Sequence, residues 1–158
     1  MTVIPLSSAP GFAAAAHAAE PPGCTLPVAP QAVCRVRYAR ENQTRQALNP
    51  SEVVAEIDRS PGLTRVELDG PGDPLASMAT TLATVAVLRQ HRPEVTIGLT
   101  TVGLQAAERA AELAAAGVAR VTLLVDTLDA ATAERLYAWI RPGKKTLPWP
   151  HPECRPAG

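Results

Sequence analysis

Three short segments of this chain carry residue types that bind small ligands. Asp69-Gly70-Pro71-Gly72-Asp73-Pro74-Leu75 combines two glycines, where a backbone can come close to a ligand, with prolines that stiffen the loop and carboxyls that accept hydrogen bonds. Thr100-Thr101-Val102-Gly103-Leu104 adds hydroxyls, and Asp126-Thr127-Leu128-Asp129 adds two more carboxyls. The candidate ligand contacts are Gly70, Pro71, Gly72, Asp73, Pro74, Thr101 and Asp126; loop aspartates such as Asp73 and Asp126 are equally common as turn residues. Three cysteines, Cys24, Cys34 and Cys154, are too few and too scattered for a disulfide scaffold. Cys24 and Cys34 flank the first expected strand and could share a metal. His151-Pro152-Glu153-Cys154 lacks the second ligand pair that a structural zinc site wants. Arg35, Arg37, Arg40 and Arg45 form a small basic run that reads as a solvated loop unless a phosphate or carboxylate faces it.

These segments act together only if the elements between them bring them to one end of a sheet. Residues 26–29 form a short apolar run, a first strand. Asn49-Pro50-Ser51-Glu52 writes a helix start, with Asn as cap, Pro in the first turn and Glu reaching back. Val53, Val54 and Ile57 follow on one face, and Pro61-Gly62 ends the helix. Residues 65–68 are a strand running into the glycine-rich segment. Residues 80–91 place Leu82, Val85, Ala86 and Leu88 at helical spacing before Pro93. A third strand over 95–100 precedes an alanine-rich helix over 105–116, closed by Gly117. Residues 121–125 are nearly all apolar, as in a strand covered on both faces, and a last helix is expected over 130–140.

Four strands, each followed by a helix, predict parallel pairing with right-handed crossovers, an α/β fold. In such folds ligands meet the carboxyl ends of the strands, where all three segments fall. About four βα units do not close an eight-unit barrel; they make an open sheet or part of a barrel, whose last strand needs cover from its helix, a tail or another chain. Residues 1–25 read as an irregular arm, 26–141 as the folded βα domain, and 142–158, with five prolines, as a disordered tail.

Fifteen basic and fifteen acidic residues cancel, so nothing advertises nucleic acid or an anionic membrane surface. With 29 alanines and five aromatic residues, the core is expected to bury little area per residue and to be weakly stable. No apolar run approaches the roughly 20 residues of a membrane span. The first basic residue is Arg35 and the alanine run over 13–19 is broken by His17, so a secretory signal is a poor fit and a cytoplasmic protein is expected.

The segments Gly70 to Ala76, Thr100 to Leu104 and Leu136 to Trp139 resemble, in order and spacing, the GPGDPLA, STNGL and IYxW segments of NifB, the radical-SAM family of nitrogenase iron–molybdenum cofactor biosynthesis. The resemblance covers about residues 9–145, with GPGDPLA its most specific part; Leu26-Pro27-Val28-Ala29-Pro30 is similar to the strand leading into the family's cluster loop, and His17 falls near a histidine of its amino-terminal arm. It implies part of a six-unit (β/α) barrel that holds S-adenosylmethionine (SAM) and a 4Fe–4S cluster, and, in the intact family, a 5′-deoxyadenosyl radical that drives fusion of two such clusters around a carbon.

The departures bear on the cluster, which the family holds by three thiolates spaced CxxxCxxC. An ungapped comparison puts Ala32, Val36 and Ala39 at those positions; a gapped one, which continues better through Tyr38 and Asn42-Gln43-Thr44-Arg45, keeps Cys34 as the third cysteine alone. Cys34 is then the one candidate metal ligand, a remnant of the motif. The family's Asn in STNG is Val102, its arm cysteine falls at Gly11, and a glutamate assigned to the extra clusters is Gln43. The resemblance therefore implies a degenerate, cut-short radical-SAM-like domain, without its cluster and inactive alone, with room for weak SAM binding or for a partner of cofactor assembly. Two alternatives stand beside it. A partner chain completes the cluster and the missing strands of an active enzyme, or the chain is a simple α/β module holding a small anion or nucleotide, although no GxGxxG or GxxxxGK[ST] motif occurs. Tyr137 and Trp139 fit the family's segment and equally the packing of a small core.

Overall fold

The computed structural model describes residues 22–37 and 46–150. β1 (Gly23–Pro27) and a short β2 (Cys34–Val36) precede α1 (Pro50–Asp58) and β3 (Arg65–Asp69). Then come α2 (Met78–His91), β4 (Thr96–Thr101), α3 (Ala106–Ala116), β5 (Val118–Leu123), α4 (Ala130–Leu136), β6 (Tyr137–Ile140) and β7 (Leu147–Pro148). β1, β3, β4 and β5 form one parallel sheet in that order. Every crossover thus steps the same way, and right-handed connections then put the helices on one face, as in an arc of a (β/α) barrel rather than a doubly wound sheet. α1 packs on α2 and α2 on α3 accordingly. The α/β class and the four parallel strands are those expected.

Local chemistry explains most boundaries. Asn49 Oδ1 accepts from the amides of Ser51 (3.0 Å) and Glu52 (3.1 Å), and Glu52 Oε2 accepts from the Asn49 amide (2.8 Å), a reciprocal cap that starts α1. Gly117, with φ of 98°, ends α3 in a conformation that other residues avoid. In β3, Val66 and Leu68 are buried while Arg65, Glu67 and Asp69 alternate onto the opposite, open face. The core unites Leu26, Val66, Leu68, Ile97 and Leu99 of the sheet with Val53, Ile57, Val85, Leu88 and Leu113 of the helices. Among the described residues no aromatic side chain is buried there.

Three features differ from the sequence expectation. β1 starts earlier, and the amides of Val28 and Ala29 leave it by donating together to the Asp69 carbonyl (2.7 and 3.3 Å). The helix expected through 140 stops at Leu136; Tyr137 to Ile140 form β6, antiparallel to β2. Tyr, Trp and Ile favour a pleated, half-buried surface, and the strand that offers it lies far upstream, invisible to any local period. β7 adds Leu147 and Pro148 to the same small sheet. Finally β5, read as covered on both faces, is the sheet edge, with Val121, Leu123, Leu124 and Val125 exposed there and just beyond. No helix among the described residues is long and apolar enough to cross a membrane.

Candidate functional site

The carboxyl ends of β3 and β4 and the segment after β1 meet around Asp73, whose side chain is buried. The Thr101 hydroxyl lies 2.9 and 2.8 Å from its two oxygens, the Val102 amide donates to Oδ2 (2.8 Å), and the Leu75 amide donates to Oδ1 (2.8 Å). Thr101 Oγ1 in turn accepts from the Gly103 amide (3.0 Å). A buried carboxyl needs such donors, and here they tie the loop after β3 to the loop after β4. The bond to Leu75 is an Asx turn that also sets up α2, where the Pro74 carbonyl accepts from Thr81 Oγ1 (2.9 Å).

Gly70 and Gly72 serve close approach of chain to chain. A Cβ on Gly70 would collide with the backbone of Ala29, and one on Gly72 with that of Gln31. The amides of Gly72 and Asp73 donate to the carbonyls of Ala29 and Gln31, both at 2.8 Å. The glycine-rich loop is thereby stitched to the segment that carries Cys34.

A cavity of about 110 Å³ opens at this junction, lined by Cys34, Pro71, Gly72, Asp73, Thr101 and Leu124 among others. Five of the eight sequence candidates therefore converge: Cys34, Pro71, Gly72, Asp73 and Thr101. Gly70 and Pro74 do not line the cavity: Gly70 abuts Ala29, and the Pro74 carbonyl is taken up by Thr81. Asp126 sits on the exposed turn after β5, where its Oδ2 accepts from the Tyr137 hydroxyl (2.7 Å). On its other side Cys34 faces an apolar cavity of about 200 Å³ with Tyr137 and Trp149, whose rings meet edge to face at 6.3 Å. Burial pushes the Cys34 thiol above its ordinary pKa, and the nearby Asp126 and Asp73 push it further. Burial, then the bond to Asp126, raises the Tyr137 phenol as well.

Cys24 lies near the amino end of β1, with its side chain against the core, so it and Cys34 sit toward opposite ends of the sheet. Of the basic run, Arg37 donates to the Trp149 carbonyl (3.1 Å). Gly11, His17, Tyr38, Arg40, Gln43, Arg45 and the 151–158 segment with Cys154 lie outside the described residues. Sequence reasoning missed a row on the open sheet face. Glu67 crosses β4 at Gly98, where a Cβ would meet its carboxyl, to reach Arg120 (2.8 Å), and it also accepts from Thr100 Oγ1 (2.9 Å). The charged residues alternating with Val66 and Leu68 were the available signal.

The residues at this site do not fit a 4Fe–4S cluster. Such a cluster takes several thiolates, and one thiol among the described residues, Cys34, reaches the junction. No group of three or more His, Cys, Asp or Glu among them is placed to hold a metal ion. The junction cavity is also smaller than the roughly 300 Å³ at which small-molecule pockets begin.

No protein-family profile matches the chain. Individual proteins do. It is 33% identical over 129 residues to the FeMo cofactor biosynthesis protein NifB of Klebsiella pneumoniae, covering 73% of this chain and 28% of that protein. The NifB of Chlorobaculum tepidum is 32% identical over 134 residues, covering 76% and 32%. That of Azotobacter vinelandii is 27% identical over 130 residues, covering 77% and 25%. The chain spans about three tenths of the length of these relatives. With the parallel βα order and the Asp73 junction, these matches make the chain, across most of its own length, a homologue of NifB.

Proposed function

We propose that this chain is a radical-SAM-related domain of NifB descent that keeps the loop scaffold at the carboxyl ends of the strands and has lost the means to hold the cluster. One observation carries this: the buried Asp73 carboxylate ties the loops after β3 and β4 through Leu75, Thr101 and Val102, while a single thiol among the described residues, Cys34, stands beside it. Without three thiolates no iron is presented to SAM, so the chain alone does not start radical chemistry. What it retains is a junction of Pro71, Gly72, Thr101 and Cys34, the part of the chain through which weak SAM binding or contact with a partner of cofactor assembly would run.

The test is anaerobic iron–sulfur reconstitution of the purified chain, with iron counting and visible absorption, followed by calorimetric titration with SAM. A colourless protein without iron supports the reading; about four irons per chain with a SAM-dependent EPR signal overturns it. A second reading, completion by another chain that brings thiolates and strands, is favoured by one observation, the open apolar edge of β5. Cluster formation only on mixing with a NifB-pathway protein would select it.

A further inference from the structure

A second cavity is larger than the junction at Asp73. It measures about 380 Å³, within the range of small-molecule sites, and lies between the starts of α2 and α3 and the turn that joins β6 to β7. Arg109, Arg141 and Lys144 line it, together with the amides of Gln31 and Gln105, and no Asp or Glu does. Arg141 stacks on the Trp139 ring at 5.4 Å and is steadied by Thr146 (2.8 Å), which fixes its guanidinium without neutralising it. Neither Arg141 nor Lys144 has a carboxylate partner among the described residues. Arg109 pairs with Glu112 (3.0 Å), an exposed ion pair of the kind that contributes little and is readily exchanged.

Arg109 of α3 faces Arg141 and Lys144 of the β6–β7 turn across the cavity, and the latter two carry charge that no carboxylate among the described residues offsets, so an anion placed between them is favoured by all three. A carboxylate would be satisfied by one guanidinium; three cations and two amide donors match a dianion with several acceptor oxygens. The other wall is apolar, with Leu75, Met78 and Leu104, and leaves room beyond the charged end for an organic body. We infer that this cavity binds the phosphoryl group of a small phosphorylated metabolite, held by Arg109, Arg141 and Lys144. None of Cys34, Gly70 or Asp73 lines it, so the inference stands apart from the proposed function.

Calorimetric titration of the full chain with adenosine 5′-monophosphate, adenosine and inorganic pyrophosphate tests it. The monophosphate should bind, pyrophosphate should compete with it, and adenosine should bind at least about tenfold more weakly. Lys144→Glu and Arg109→Gln should each weaken the monophosphate about tenfold or more, with unchanged melting curves because both side chains reach solvent. Lys145→Glu, adjacent in sequence but outside the cavity, should change affinity only slightly. Equal binding of adenosine and its monophosphate, equal effects of Lys144→Glu and Lys145→Glu, or no binding of either phosphate at about 10 mM would each overturn the inference.

Discussion

β4 and β5 lie side by side in one parallel sheet and are written in a similar alphabet, yet they live in different surroundings. Ile97 and Leu99 of β4 are fully buried, whereas Leu123 of β5 is 56% exposed and Leu124 just beyond it 52%. β4 has a strand on each side; β5 has one neighbour, and α4, which follows it, leans on β6 instead. The loops differ in the same way. The turn after β4 is held by a buried carboxyl through Thr101 and Val102, while Asp126 after β5 is held by one phenol at the surface. Apolar composition makes burial worthwhile, but the number of flanking strands decides whether it happens. An uncovered apolar edge of this kind is a place where other chains attach.

The comparison can be broken most directly by truncation. Leu99→Ala should cost about 3 kcal/mol in urea unfolding, a large share of the margin of a small domain, whereas Leu123→Ala should cost about 0.5 kcal/mol or less. Equal costs would mean that β5 is covered in solution. Next, Asp73→Ala leaves the Leu75 and Val102 amides and the Thr101 hydroxyl without their acceptor and should cost about 2 kcal/mol, while Asp126→Ala leaves the unfolding midpoint unchanged. A comparable loss at Asp126 would show that the open loop is as tightly held as the closed one.

A smaller effect sharpens the closed side: Asn49→Ala removes the side-chain oxygen that accepts from the Ser51 and Glu52 amides and should cost about 1 kcal/mol, seen as faster amide exchange at those two residues. The smallest effect reports on the seam between the two halves, where Cys34 faces both Asp73 and Asp126. Burial and the two carboxyls all disfavour the thiolate, so in a Cys24→Ser, Cys154→Ser background alkylation by iodoacetamide should reach its midpoint at a higher pH than for free cysteine. Asp126→Asn should move that midpoint back down. A midpoint equal to that of free cysteine would place Cys34 in open solvent, and one below it would mean that a cation or donor holds the thiolate.

How much could be read in advance follows from how local each cause is. The α1 cap, the Gly117 stop and the strand over 65–68 rest on neighbours a few residues apart, and each was legible. So was the assembly of Pro71, Gly72, Asp73 and Thr101, because parallel strands with right-handed crossovers bring their carboxyl ends together whatever the side chains. β6 was misread because its tyrosine and tryptophan also suit a helix face, and only pairing with β2 selects the strand. The purpose of Gly70 and Gly72 was likewise out of reach, since the surfaces that forbid a Cβ belong to Ala29 and Gln31, about forty residues away in the chain.

The sequence by itself determined the α/β alternation, the caps, the kinship with NifB and the shortage of thiols after the first strand, because periodicity, capping chemistry and residue identity are local properties. Tertiary structure alone decided which apolar strand became the exposed edge, which carboxyl was buried as a tie between loops, and which three cations came to line one cavity. Those outcomes depend on which distant segments become neighbours in space, and no single stretch of chain holds that information.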